Sequence, residues 1–321
     1  MLKIGLMGAA GIAERSIVQP CALSDDAVLA AVAARRPGAA AAYAQTHGIP
    51  RHHDSYEALL DDPDIDAIYI ALPPAMHAEW SIRALQAGKP VLCEKPIAMT
   101  TAEAREMFAV AADAGLILME AFHDRYHPLT LHILDVLRSG RLGRIQYATA
   151  SFLVDVPWDP KNIRFDPAQG GGAMMDLGCY PLHWLRTVFG SEPEVHEVRT
   201  VLTELGMDRR VEAEMTFDGV PATLTADLMD PPFRAVLRIE GAQGWIEVTN
   251  PCLPHNGHSV QERPGDGPVT VQTIAGRTTY QYQLAAFVAA VRKNTPPLTG
   301  AADAIGNMAA LEAIYRKAGL R

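Results

Sequence analysis

The chain has 321 residues, 49% of them apolar, with 37 acidic against 28 basic side chains and a net charge of −9. That balance argues against a nucleic-acid surface and against docking on an anionic membrane, and the apolar fraction excludes bulk disorder. The length permits two domains with sizeable cores. Cys21, Cys93, Cys179 and Cys252 show no Cys-x-x-Cys spacing, so neither a zinc site nor a redox pair is indicated, and reduced thiols in a cytoplasmic protein are expected. The apolar amino terminus carries Lys3 and runs into a glycine-rich turn, which reads as a first strand rather than a signal peptide. No run approaches the roughly 18 uninterrupted apolar residues of a membrane span.

The first 121 residues alternate strand and helix. Leu2 to Met7 reads as a strand, Ile12 to Leu23 as a helix and Val28 to Ala33 as a second strand. Pro37-Gly38 opens an alanine-rich helix to His47, and Ile65 to Leu72 is an apolar strand closed by Pro73-Pro74. A helix from Met76 to Ala87 stops at Gly88, and Val91 to Cys93 is the next strand. Thr100 and Glu103 have capping-box spacing, and Ala104, Met107, Phe108 and Ala111 follow at helical period. Leu116 to Ala121 closes the series as a strand. Such a βαβ series predicts a parallel sheet covered on both faces.

After about residue 123 the pattern changes. A helix is expected from Pro128 to Arg138, then strands that alternate apolar and polar: Val211 to Phe217, Ala222 to Leu228 and Ile246 to Val248. Period-two runs fit an antiparallel sheet with one face on a core. Residues 251–276 are rich in Pro and Gly and read as loops and short strands. Two helices, marked by Leu284, Phe287, Val288, Val291 and by Ala304, Met308, Leu311, Tyr315, finish the chain. The predicted fold class is α/β: a Rossmann dinucleotide-binding domain over 1–122, then an α+β domain over 123–321 with a large, mostly antiparallel open sheet.

Gly5, Gly8 and Gly11 sit at the junction of the first strand and first helix. Gly8 is expected to make the turn, with Ala10 where a second glycine commonly lies and Gly11 as the third; small residues there, with Ile12 opening the helix, let backbone N–H groups approach a pyrophosphate. The second strand leads into Ala34-Arg35-Arg36 with no acid to hold a ribose 2′-hydroxyl. Two guanidinium groups suit a 2′-phosphate, so NADP is predicted over NAD, which stays possible. Leu72 and Pro73 keep the loop after their strand open for a cofactor to lie against; His77 either helps form that site or caps the next helix. Glu94-Lys95-Pro96 ends the strand Val91 to Cys93. A lysine there needs a partner or a task, and it is held at the carboxyl edge of a sheet, where open α/β folds bind ligands.

Gly170-Gly171-Gly172 precedes Asp176, Gly178, Tyr180 and His183 on a predicted helix, where Asp176, Tyr180 and His183 share one face at spacings of four and three. With these motifs the chain resembles the Gfo/Idh/MocA family of NAD(P)-dependent oxidoreductases over almost its whole length. The resemblance rests on the glycine triplet, Glu94-Lys95-Pro96, Glu120-Ala121-Phe122, the Gly170 to Tyr180 segment and the Ala285 to Val291 helix. Tyr180 stands where inositol dehydrogenase-like members carry histidine, which makes the chain similar to the branch holding glucose-fructose oxidoreductase, NADP-dependent xylose dehydrogenase and dimeric dihydrodiol dehydrogenase. Arg125-Tyr126-His127-Pro128 is similar to an Arg-Phe-His-Pro run of sugar-oxidising members. The resemblance implies that Lys95 and Tyr180 flank the nicotinamide and the reacting carbon, that the Lys95–Pro96 bond is cis, and that the open sheet forms the interface of a homodimer or homotetramer.

A tyrosine's unperturbed pKa of about 10 is too high for an efficient base at neutral pH, and a nearby ammonium favours the phenolate. Tyr180 is therefore expected to exchange the proton while Lys95 polarises the oxygen, with Asp176 orienting Lys95 or a substrate hydroxyl; the reverse division between Lys95 and Tyr180 stays open. Arg125, His127, Trp158, Asn162, Arg164 and His183 are the candidate substrate contacts. His123 and His127 have no evident third ligand, so no metal is expected. Two rival functions share the fold. One is a non-catalytic NAD(P)-binding regulator, against which the retained Lys95 and Tyr180 count. The other keeps its nucleotide bound and couples oxidation of one sugar to reduction of another; the chain opens directly on its first strand, so free exchange is expected instead. The substrate class is a sugar, sugar derivative or trans-diol, in either direction.

Overall fold

The structure is a computed structural model that describes residues 1–320. Grouped by contact, the chain forms two compact units, Met1–Arg125 with Tyr280–Ile305, and Tyr126–Thr279 with Gly306–Arg321. The expected division into 1–122 and 123–321 is one cut in the sequence; the compact units are discontinuous.

The first unit holds a six-stranded sheet of order β3-β2-β1-β4-β5-β6, all neighbours parallel. Its strands are β1 (Leu2–Met7), β2 (Ala27–Ala33), β3 (Arg51–His53), β4 (Ala67–Ile70), β5 (Val91–Cys93) and β6 (Leu118–Glu120). β1, β2, β4 and β5 are almost wholly buried, as a parallel sheet covered on both faces requires. Sequence reading placed most of these strands but passed over β3, a short Arg-His-His strand, and the helix Tyr56–Leu60 beside it. The helix expected over residues 12–23 is composite: Gly11–Ala13 is α, Glu14–Val18 is a π-turn and Gln19–Ala22 is α again. Thr100 and Glu103 do cap their helix. The Thr100 hydroxyl accepts from the Glu103 N–H at 3.1 Å, and the Glu103 carboxylate accepts from Met99 N–H at 2.8 Å. The returning segment is tied in where Glu120 N–H donates to Thr299 O at 3.0 Å and the Thr299 hydroxyl donates to Glu120 O at 2.6 Å.

The second unit holds an eight-stranded sheet of order β14-β13-β12-β11-β7-β10-β9-β8, antiparallel except for the β7–β10 pair. The strands are β7 (Ile145–Asp155), β8 (Glu194–Leu202), β9 (Asp208–Phe217), β10 (Val220–Asp227), β11 (Met229–Gly241), β12 (Gly244–Thr249), β13 (Ser259–Pro264) and β14 (Thr270–Gln272). Register builds a continuous apolar row from Val260 through Val248, Leu237, Ala150 and Leu224 to Ala213, all buried. The neighbouring row on the opposite face runs Gln261, Glu247, Arg238, Thr149, Thr223, Glu214. One face is thus core and the other polar, as period-two alternation dictates. The helix Pro128–Arg138 is where the sequence put it. Among the described residues no helix is long and apolar enough to cross a membrane.

Candidate active site

Four chain segments leave the carboxyl ends of the adjacent strands β2, β1, β4 and β5 and carry the residues predicted for the cofactor. Open parallel sheets bind ligands at this edge. After β1, Gly8 adopts φ +106 and donates its N–H to Ala33 O at 2.9 Å; a Cβ there would lie 2.6 Å from Ala71 O. Only glycine tolerates both the angle and the approach. Ala10 is the extended N-cap of the next helix, with no side-chain cap; Gly11 is exposed, with nothing within 4 Å of a Cβ built on it, and Ile12 is half-buried. The turn therefore presents backbone N–H groups on an open side, a fit for a pyrophosphate. Gly5 belongs elsewhere: it lies inside β1, where a Cβ would come 2.9 Å from Leu59, so it serves packing rather than the turn.

After β2, Arg35 and Arg36 are exposed. The Arg35 guanidinium lies over the Tyr56 ring at 5.5 Å and 3.4 Å from the Met76 sulfur. It is thus held at the strand end while its charge stays open to an anion. After β4, Leu72 and Pro73 are half-buried. His77 neither caps the following helix nor lines open space. It is the first residue of helix His77–Gln86 and fully buried, with Nδ1 2.9 Å from Pro96 O and Nε2 2.8 Å from Leu72 O. Burial pushes its pKa down to about 4, so the ring is neutral and its single N–H serves one of these two carbonyls, while the buried ring packs between the Leu72 loop and Pro96.

After β5, Glu94 is buried and Lys95 half-buried, and the Lys95–Pro96 bond is cis, as the resemblance implied. Burial raises the Glu94 pKa. Its Oε1 is hydrogen-bonded to the Tyr69 hydroxyl, and its Oε2 accepts from Lys95 N–H at 3.3 Å. Glu120 is buried and accepts from Ile97 N–H at 2.8 Å, so the Glu-Ala-Phe motif anchors the segment beyond Pro96. Arg125 lies in the 3-10 turn His123–Tyr126 of this unit, half-buried.

In the second unit the glycine run is explained by close approach. A Cβ on Gly171 would sit 2.6 Å from Ile163 O, and one on Gly172, at φ +119, would collide with the Asp208 carboxylate. Asp208 accepts from Met174 N–H at 2.8 Å and from the Tyr315 hydroxyl at 3.1 Å, fixing the start of the helical segment. That segment is a π-turn over Met174–Gly178 followed by the α-helix Cys179–Phe189. The predicted stripe therefore holds in α register only for Tyr180 and His183, both buried; Asp176 lies in the wider π-turn. Tyr180 meets Phe152 edge-on at 5.7 Å, and Phe152 meets Phe233, 52% exposed, at 5.9 Å. Asp176 is paired with Arg164, 3.2 Å away.

The remaining substrate candidates divide. Trp158 is exposed and leans on Phe165 at 4.7 Å. Asn162 caps the turn Ile163–Phe165, accepting from Arg164 N–H at 3.1 Å. His127 is buried as the N-cap of Pro128–Arg138, its Nδ1 accepting from Leu129 N–H at 3.0 Å, and burial pushes its pKa down to about 4. A buried neutral cap is a structural part, not a surface offered to a sugar. Sequence reasoning missed Tyr69, Ser16, Asp208, Phe152 and Phe233, because each stands alone in an ordinary strand or helix pattern.

Residues 2–122 match the model of an oxidoreductase family with an NAD-binding Rossmann fold, and residues 130–247 match the GFO/IDH/MocA C-terminal domain. D-xylose 1-dehydrogenase (NADP(+)) 2 of Haloferax volcanii is 33% identical, over 99% of this chain and 97% of its own. Trans-1,2-dihydrobenzene-1,2-diol dehydrogenase of Macaca fascicularis is 35% identical, over 74% of this chain and 70% of its own. Among solved structures, aldose-aldose oxidoreductase of Caulobacter crescentus superposes with a TM-score of 0.90 at 26% identity, covering 99% of this chain and 97% of that one. A 3-ketoreductase of Actinomadura kijaniata, solved with NADP and TDP-benzene, gives 0.91 at 28% identity over 98% and 97%.

Proposed function

The chain belongs to the Gfo/Idh/MocA family of oxidoreductases, and from that premise we propose that it is an NADP-dependent dehydrogenase or reductase acting on a CH–OH or carbonyl carbon of a sugar, sugar derivative or trans-diol. The observation that carries this reading is the gathering of the Gly8 turn, Arg35, Leu72-Pro73 and Lys95 at neighbouring strand ends of one sheet. Bound there, the nicotinamide supplies the acceptor or donor of the hydride. The chain's own residues do the rest. The N–H groups at Gly8 to Ile12 hold the pyrophosphate, and Arg35 with Arg36 holds the 2′-phosphate. In the oxidative direction Tyr180 takes the hydroxyl proton on its phenolic oxygen, and in reduction it returns it. Lys95 polarises the substrate oxygen and favours the phenolate, Asp176 orients Lys95 or a substrate hydroxyl, and Trp158, Arg125, Arg164 and His183 shape the sugar site.

A screen of NADPH formation over pentoses, hexoses and diols tests the activity. Lys95→Met and Tyr180→Phe are each expected to lower kcat about a hundredfold, the scale of a positioned proton donor; near-native turnover in both refutes the scheme. The likeness to an aldose-aldose oxidoreductase favours one second reading, a sugar-to-sugar exchange on retained nucleotide, and NADP still bound after gel filtration would support it. Four buried free cysteines fit a reducing compartment, so cytoplasmic residence is part of the proposal. So is a homodimer or homotetramer through the polar face of the eight-stranded sheet; a monomeric mass by light scattering refutes that part.

A further inference from the structure

Tyr69 sits mid-strand in β4 with no exposed surface, yet it carries a hydroxyl into the sheet's interior. Its oxygen is 2.8 Å from Ser16 Oγ and is hydrogen-bonded to Glu94 Oε1. Ser16, 1% exposed, lies in the π-turn Glu14–Val18, and its Oγ is 2.9 Å from Ile12 O. A continuous line of oxygens thus runs from the helix after the glycine turn to the carboxyl group beside Lys95.

The protons on this line can be counted. It has three contacts: Ile12 O with Ser16, Ser16 with Tyr69, and Tyr69 with Glu94. The carbonyl of Ile12 only accepts, and a hydroxyl donates once. If Ser16 gives its proton to Ile12 O, Tyr69 must give its own to Ser16 Oγ. The third contact then needs a proton from Glu94. An ionised Glu94 would take the Tyr69 proton and leave one of the other oxygen pairs in contact without a hydrogen between them, deep in a buried site where unmade bonds are costly.

We propose that Glu94 is a neutral carboxylic acid closing a Ser16–Tyr69–Glu94 hydrogen-bond chain, and that Tyr69 is thereby a positioning residue for the backbone that carries Lys95. Glu94 Oε2 receives Lys95 N–H, so whatever fixes the carboxyl group also fixes the start of the Lys95 segment. The charged and titratable groups outside the chain that act on it are Lys95 and Arg15, which favour the carboxylate, Cys93, which interacts with Glu94, and Tyr280, which interacts with Tyr69. Burial opposes that pull and raises the carboxyl pKa, in keeping with the proton count. The positioning part rests on Lys95 being catalytic; the protonation part does not.

Two measurements on the full chain decide it. Infrared difference spectra at pH 7, wild type against Glu94→Gln and without substrate, are expected to show the carbonyl band of a protonated carboxyl group, displaced in Tyr69→Phe. A carboxylate signature alone overturns the proposal. In turnover, Tyr69→Phe is expected to lower kcat about tenfold with the KM for NADP changed less than about twofold, and Ser16→Ala to lower kcat by a smaller factor, as misplacement of a catalytic group predicts. The pH profile of kcat should move in both. Wild-type kcat and pH profile in a folded Tyr69→Phe enzyme overturn the positioning role even if its Tm drops. Should Tyr69→Phe fail to fold, Ser16→Ala carries both readouts. If no sugar or diol is turned over by the wild type, the infrared result still stands or falls alone.

Discussion

Individual residues set the sharpest constraints on cofactor choice and on the turn that receives it. Arg35 is braced by Tyr56 and Met76 with its charge outward. Arg35→Ala is expected to lower kcat/KM for NADP by about ten- to a hundredfold, the range of one lost charge-assisted bond, and to leave NAD kinetics nearly unchanged; the ratio of the two efficiencies is the measurement. Gly8 fixes the turn by geometry, since positive φ and the 2.6 Å approach to Ala71 O leave no room for a methyl group. Gly8→Ala is therefore expected to cost at least about 2 kcal/mol, seen as a lower urea midpoint with the m-value kept. Some of this was readable in advance: glycines after a strand, two arginines without an acid, a lysine ending an apolar run. The caps at His127 and Asn162 were not, because a helix cap and a substrate contact use the same polar residue types, and only the backbone partner shows the capping role.

At the scale of elements, the helical segment bearing Asp176 and Tyr180 depends on a residue from another strand. Asp208 is buried and accepts from Met174 N–H and Tyr315 Oη. Asp208→Ala removes the acceptor of both bonds and is expected to cost about 3 kcal/mol, whereas Tyr315→Phe removes one bond to the carboxylate and should cost about 2 kcal/mol; denaturant unfolding of the two variants gives the comparison. Strong apolar runs punctuated by glycine and proline made β1, β2, β4 and β5 legible. The strands passed over each lack such a signal. β8 is largely exposed on both faces, β7 buries alanines on its core side, and β11 opens with Asp230-Pro231-Pro232. The two π-turns escaped because the residues around them keep an α-helical hydrophobic period. In the second, Asp176 sits off the face its spacing assigned.

For the whole molecule, buried histidines give stability a pH dependence of known sign. His77 and His127 are both depressed to about 4 by burial, below an ordinary value near 6.5. Their stabilisation is complete above the unfolded value and is lost as pH falls from about 6.5 to about 4. For the fully buried His77 the loss is on the order of 3 kcal/mol. Glu94, raised by burial, acts oppositely, its contribution present below its ordinary value and fading as pH rises through the raised one. The urea midpoint is expected to decline from pH 7 to pH 4, and His77→Gln should flatten that decline in part, His127 supplying the remainder. The segment Tyr280–Ile305 has a different reach. It is made late on the ribosome, yet Thr299 pairs with Glu120 on β6, the outermost strand of the first sheet. Until then a nascent chain displays a bare strand margin, an invitation to pair with a neighbouring polypeptide. A fragment ending at residue 125 should accordingly precipitate, and supplying residues 280–305 as a separate peptide should keep it in solution.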